Sequence, residues 1–253
     1  MNAIIKYILL NGVRDRLYLG VLLTLITSFI ISIIFGSTFL IEKQATVSAF
    51  SSGSSRIIFI FGIILFVCLN LRKSFESKEI EFIISKSISR QKIIISYIAG
   101  YIISSIIILI PLIIALFILT NSNPLGLIFW SSSIIMETLL IATFAILATL
   151  ILNSAFSAIL ATMGFYILSR MMGIFVLTIN LPKNYTEFSN NIMQSILKIL
   201  SIAFPRLDLY SKSEWLIYGV NELLDIKIII IQSLIYIPLL IFMSFYDFGK
   251  KQF

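Results

Sequence analysis

Two ionisable residues, Glu137 and Arg170, fall inside long apolar runs of a chain that has 253 residues, 59% of them hydrophobic and only 12% charged. Charge at membrane depth is costly enough that such residues pair, line a polar route or carry a proton. A tight turn centred on Asn153 and Ser154 lies 16 residues from each of them. At 1.5 Å per residue both sit about 24 Å above that turn. In an antiparallel helical hairpin they reach one depth, and the spacing predicts a membrane-buried or near-interface ion pair that pins the hairpin or lines a pathway. Outward snorkelling of Arg170 alone is the other arrangement open to it.

Other chemistry is narrowed by what the chain lacks. It has no histidine and a single cysteine, Cys68. That leaves no ligand set for a zinc site, no histidine base for a serine or cysteine hydrolase and no haem-binding histidine. Cys68 lies in an apolar run and reads as packing. There is no GxGD stretch and no pair of intramembrane aspartates, which disfavours an intramembrane protease. No GxxxxGK[ST] stretch occurs either, so the chain is not itself a P-loop ATPase. The formal net charge of +7 comes from residues at the edges of apolar runs, where they set topology and meet anionic head groups. Membrane lipids, and not nucleic acid, are the partners that this charge implies.

A mean hydropathy of +1.05 and several runs near 20 residues imply an all-α polytopic membrane protein. Six spans are expected, at 17 to 41, 56 to 71, 93 to 120, 125 to 152, 154 to 179 and 226 to 247. The second is short, and Val47 to Ser55, despite its serines, stands as the candidate for its outer end. The first apolar run is far longer than a signal-peptide core, so it is expected to remain as a membrane helix. With both ends inside, eleven Lys and Arg flank the inner ends against seven outside, which favours cytoplasmic termini. Residues 1–16 place Ile4, Ile5, Ile8 and Leu9 on one face of an interfacial helix. Ala142, Ala145 and Ala148, with Ala155, Ala158 and Ala161, would let the fourth and fifth spans approach closely.

The most charged stretch is "FESKEIEFIISKSISRQKII" (75–94). Ile80, Ile83, Ile84 and Ile88 recur at helical spacing, with Phe75 and Phe82 extending the apolar side and Glu76, Lys78, Glu79, Glu81 and Lys86 on other faces. Residues 75–90 thus read as an amphipathic helix on the cytoplasmic side. An ordinary positively charged loop that happens to be helical is the plainer reading.

The run "ESKEIEFIISKSISRQKIIISYIAGY" resembles the segment between the second and third spans of ABC-2 type exporter permeases. Glu76 and Glu81 fall on its acidic positions, Phe82 to Ser85 on its short apolar run, and Ile88, Ser89 and Arg90 on its end. Lys78-Glu79 stands where the family often has Gly-Thr, and Ser87 replaces its usual proline, so a more continuous helix is expected here. The interfacial N-terminus, the six spans, "FPRLDLYSKSEWLIYG" (204–219) and the ending "FYDFGKKQF" are similar as well. The resemblance covers most of the chain through motifs that are each degenerate.

It implies a single transmembrane permease domain, 1–253, working as a homo- or heterodimer. Separate ABC ATP-binding subunits would hold ATP and Mg, with no cofactor, metal or catalytic residue in this chain. It also implies that 75–90 is a coupling helix, with Glu76, Glu79, Glu81, Lys86, Ser89 and Arg90 as contacts to the ATP-binding subunit, in a bacterial-type plasma membrane. Residues 180–225 form an outer segment in which "IMQSILKILSIAF" (192–204) is too short to span and is expected to be re-entrant or interfacial. Two other functions stay open: an ion-coupled secondary transporter using Glu137, and a membrane-embedded enzyme.

Overall fold

A computed structural model of the chain describes residues 2–14, 16–38, 42–86, 89–120, 123–180, 195, 199, 203–220 and 223–251. The described elements are helical: α1 (Asn2–Arg14), α2 (Leu17–Ser37), α3 (Lys43–Glu76), α4 (Glu79–Ser85), α5 (Arg90–Thr120), α6 (Pro124–Ile151) and α7 (Ala155–Asn180). A 3₁₀ turn (Leu207–Leu209), α8 (Glu214–Tyr218) and α9 (Leu223–Lys250) complete them. Six of these helices (α2, α3, α5, α6, α7 and α9) are long and apolar enough to cross a membrane. The chain is an all-α protein built for multiple membrane passes.

The second span is longer than its apolar run. α3 covers 34 residues, about 51 Å at 1.5 Å per residue, and takes in all of Val47 to Ser55. The serines are accommodated because their hydroxyls donate to their own helix. Ser48 bonds the Gln44 carbonyl at 2.8 Å, Ser52 that of Ser48 at 2.7 Å and Ser54 that of Phe50 at 2.6 Å. A hydroxyl satisfied in this way carries little of the usual penalty for burial.

α3 and α6 form the centre: 61% and 72% of their most apolar windows are buried, against 22% to 33% for the other four spans. α2 lies antiparallel on α3, with Gly62 under Val21 and Gly36 under Val47, where a β-carbon would come within 2.5 and 2.2 Å of the valine methyls. α1 packs on α5, with Ile4 and Ile8 buried and Gly100 making room for Ile8. α7 and α9 lean on α6 from other sides. On α6 the alanines at 142, 145 and 148 are all buried. On α7 the buried face runs through Ala158, Thr162, Tyr166 and Ser169, and Ala161 is exposed. The three-residue alanine spacing on that helix therefore does not follow its packed side.

The stretch 75–90 is not one helix. Phe75 and Glu76 end α3, Lys78 turns with φ 57°, α4 covers seven residues, and Arg90 opens α5. The left-handed turn at Lys78 lets α4 leave the axis of α3, a conformation that costs a non-glycine residue about 1 kcal/mol. Ser87 and Ile88, and with them continuity through the position of the missing proline, lie outside the described residues. So does most of the 192–204 run.

Candidate functional site: a buried charge node and an amphipathic end helix

The α6–α7 hairpin brings Glu137 and Arg170 together. Arg170 Nη1 lies 3.7 Å from Glu137 Oε1, with the carboxylate fully buried. Seven residues closer to the turn on α6, Phe144 stacks on Phe165 of α7 with ring centroids 3.9 Å apart, which fixes the same register. The expected pair is present.

Its setting is wider than a hairpin. Residues 205–218 pack into the bundle, with Leu207, Tyr210 and Ser211 fully buried and Trp215 and Leu216 nearly so. Between the 3₁₀ turn and α8 this backbone is irregular, and polar groups of irregular backbone buried inside a helical bundle need protein partners. Arg170 Nη1 donates to the carbonyls of Leu207 and Tyr210, the latter at 2.9 Å. From α3, Arg56 Nη1 donates to the Ser211 carbonyl at 2.8 Å.

Ser211 is the node. Its N–H donates to Ser133 Oγ at 3.0 Å, its hydroxyl to Glu137 Oε2 at 3.1 Å, and its carbonyl accepts from Arg56. Ser211 holds φ 49°, a left-handed conformation that persists where surrounding contacts over-determine it. The Glu137–Arg170 pair therefore fastens an inserted loop to α6 and α7 as well as closing a hairpin, and Arg56 adds α3. Arg56, at the first position of the second expected span, lies within α3 and belongs to this node. No local signal marks it, because its partner is 155 residues away.

The node continues outward. Ser52 Oγ lies 2.7 Å from Ser213 Oγ and Lys212 Nζ meets Asp225 Oδ2 at 2.6 Å. Tyr210 OH donates to the Ile229 carbonyl at 3.1 Å and lies 2.8 Å from Ser233 Oγ.

At the opposite end of the bundle, α4 buries Ile80 and leaves Phe82 62% exposed. Six residues were expected here as partner contacts, and they divide into two groups. Glu76 is exposed beside Arg72 at 3.0 Å, Glu81 and Ser89 are exposed, and Lys86 is exposed above the Phe82 ring at 4.5 Å. Glu79 instead accepts from Tyr7 OH of α1 at 2.6 Å, and Arg90 faces the carbonyls at the end of α9. Cys68 is buried 4.0 Å from Thr162 Oγ1, in keeping with packing. Among the described residues no group of three or more His, Cys, Asp or Glu gathers into a possible metal site. No protein-family model and no curated protein matches the chain.

Proposed function

We propose that the chain is the membrane-spanning permease subunit of an ATP-driven exporter of the ABC-2 type. It works as a dimer whose two copies, or a copy and a related chain, enclose the substrate pathway in a plasma membrane, with both termini cytoplasmic. ATP and Mg are held by separate ATP-binding subunits. The observation that carries this reading is α4: a short helix set off by a left-handed turn, seated through Ile80 and presenting Glu81, Phe82 and Lys86 outward. A connector that only joined α3 to α5 would gain nothing from an exposed aromatic flanked by charges, whereas an aromatic anchor with a polar rim suits a docking spot.

Ion-coupled transport through Glu137 is the second reading, favoured by one observation: its Oε1 accepts no hydrogen bond among the described residues. Against it, the same carboxylate is committed to Arg170 and Ser211, partners suited to holding a loop.

The two readings part in a pull-down of the tagged protein from detergent with assay of nucleotide hydrolysis. A P-loop ATPase should co-purify with the wild type and be lost from Glu81→Ala/Phe82→Ala, whose side chains are exposed and whose removal leaves the bundle intact. A folded wild-type protein that brings down no ATPase would sink the exporter reading and turn attention to Glu137.

A further inference from the structure

The geometry points to Arg90 as a clamp that passes displacement of α4 to the ends of α9 and α6, and not as a contact for a partner. This rests on α4 being the coupling element. Arg90 Nη1 lies 3.2, 2.7 and 3.1 Å from the carbonyl oxygens of Phe248, Gly249 and Lys251. The last carbonyls of a helix lack intrahelical donors, and a guanidinium set among them satisfies those groups and meets the negative end of the helix dipole. Arg90 of α5 thereby caps α9, across 158 to 161 residues of chain.

Two further contacts tie the other helix ends to the same place. Lys251 Nζ donates to the Leu150 carbonyl in the last turn of α6 at 2.7 Å and lies 4.7 Å above the Phe75 ring at the end of α3. Phe75 meets Phe248 edge to face, with ring centroids 6.4 Å apart. The ends of α3, α6 and α9 and the start of α5 are therefore knotted together behind α4. Ile80, the one buried residue of α4, closes a small apolar cleft formed with Phe75, Ile93, Leu150 and Phe248. Movement of α4 presses on this cleft, and the close-packed knot has little free volume in which to absorb it. The sixth span and the central α6 would then respond together with α5.

The test uses the full chain in lipid nanodiscs of phosphatidylcholine and phosphatidylglycerol, comparing wild type, Arg90→Met and Arg90→Lys. In Arg90→Met, amide hydrogen exchange over 245–251 should quicken by about tenfold while exchange over 205–218 stays as in wild type. Arg90→Lys should be intermediate, since one ammonium replaces part of the donor fan, and it carries the comparison if Arg90→Met fails to fold. The ATPase should still co-purify with either variant, with its hydrolysis no longer responsive to the permease in Arg90→Met and partly responsive in Arg90→Lys. Unchanged exchange over 245–251, or loss of the ATPase from the pull-down, would overturn the clamp. If the wild type itself brings down no ATPase, the exporter reading fails, and the exchange comparison still decides whether Arg90 holds the end of α9.

Discussion

Arg170→Met is expected to be among the most damaging single substitutions in the protein, costing about 3–5 kcal/mol. It leaves Glu137 as a fully buried carboxylate without its cation and strips the donor from the carbonyls of Leu207 and Tyr210. Glu137→Gln should cost less, about 1–2 kcal/mol, because the amide oxygen can still accept from Ser211 Oγ and Arg170 keeps its two carbonyls. The double variant should be less damaged than the sum of the singles by at least about 1 kcal/mol, the signature of residues in one network. Denaturant unfolding of the detergent-solubilised variants, followed by Trp fluorescence, measures all three. Strict additivity would mean that the two side chains act on the inserted loop independently and that the pair itself contributes nothing.

Gly126→Ala should be the other large effect, although it adds only a methyl group. A β-carbon at 126 would stand 1.9 Å from the Trp215 carbonyl oxygen and 2.9 Å from its carbon. The obstacle is backbone, so the start of α6 or the whole of α8 must move by about 1 Å. Overpacking of this kind costs about 1–3 kcal/mol. Here it also pulls on the Ser52–Ser213 and Ser133–Ser211 hydrogen bonds, so the expected loss is at the upper end of that range. A cysteine introduced at Ser213 should react faster with an aqueous thiol reagent in the Gly126→Ala background. Unchanged labelling together with unchanged stability would mean that α8 is not seated on α6 as described.

These predictions converge on the inserted loop 205–218, which gives the intramembrane charges a defined task. In the structure, irregular backbone enters the bundle where cations and hydroxyls from α3, α6 and α7 meet it. Such a loop is tolerated at membrane depth only when protein groups replace water. For an exporter, a segment held by side-chain contacts instead of continuous helix is suited to release and re-seating, because each contact is separately breakable.

Much of this architecture follows from the sequence, since the hydropathy that makes a span is a local property. Six apolar runs became six helices long and apolar enough to cross a membrane, and the packed face of α1 showed in the spacing of Ile4 and Ile8. The Glu137–Arg170 pair was legible for a further reason: a tight turn fixes the register of a helical hairpin, so residues equidistant from it share a depth. The true length of α3 was hidden, because Ser48, Ser52 and Ser54 lower the apolar count while their hydroxyls are satisfied within the helix. The break at Lys78 was hidden too, since a left-handed residue other than glycine or asparagine leaves little trace in composition.

What only the tertiary structure decided are the pairings between distant segments. Arg56 reaching Ser211, Arg90 capping α9 and the entry of 205–218 into the bundle each join residues far apart in the chain. A charged residue near a span end looks the same in sequence whether it faces lipid head groups, a partner protein or the carbonyls of its own chain. The choice among these is made by which unsatisfied backbone groups the packed helices bring within hydrogen-bonding distance, and that is settled only when the helices are assembled.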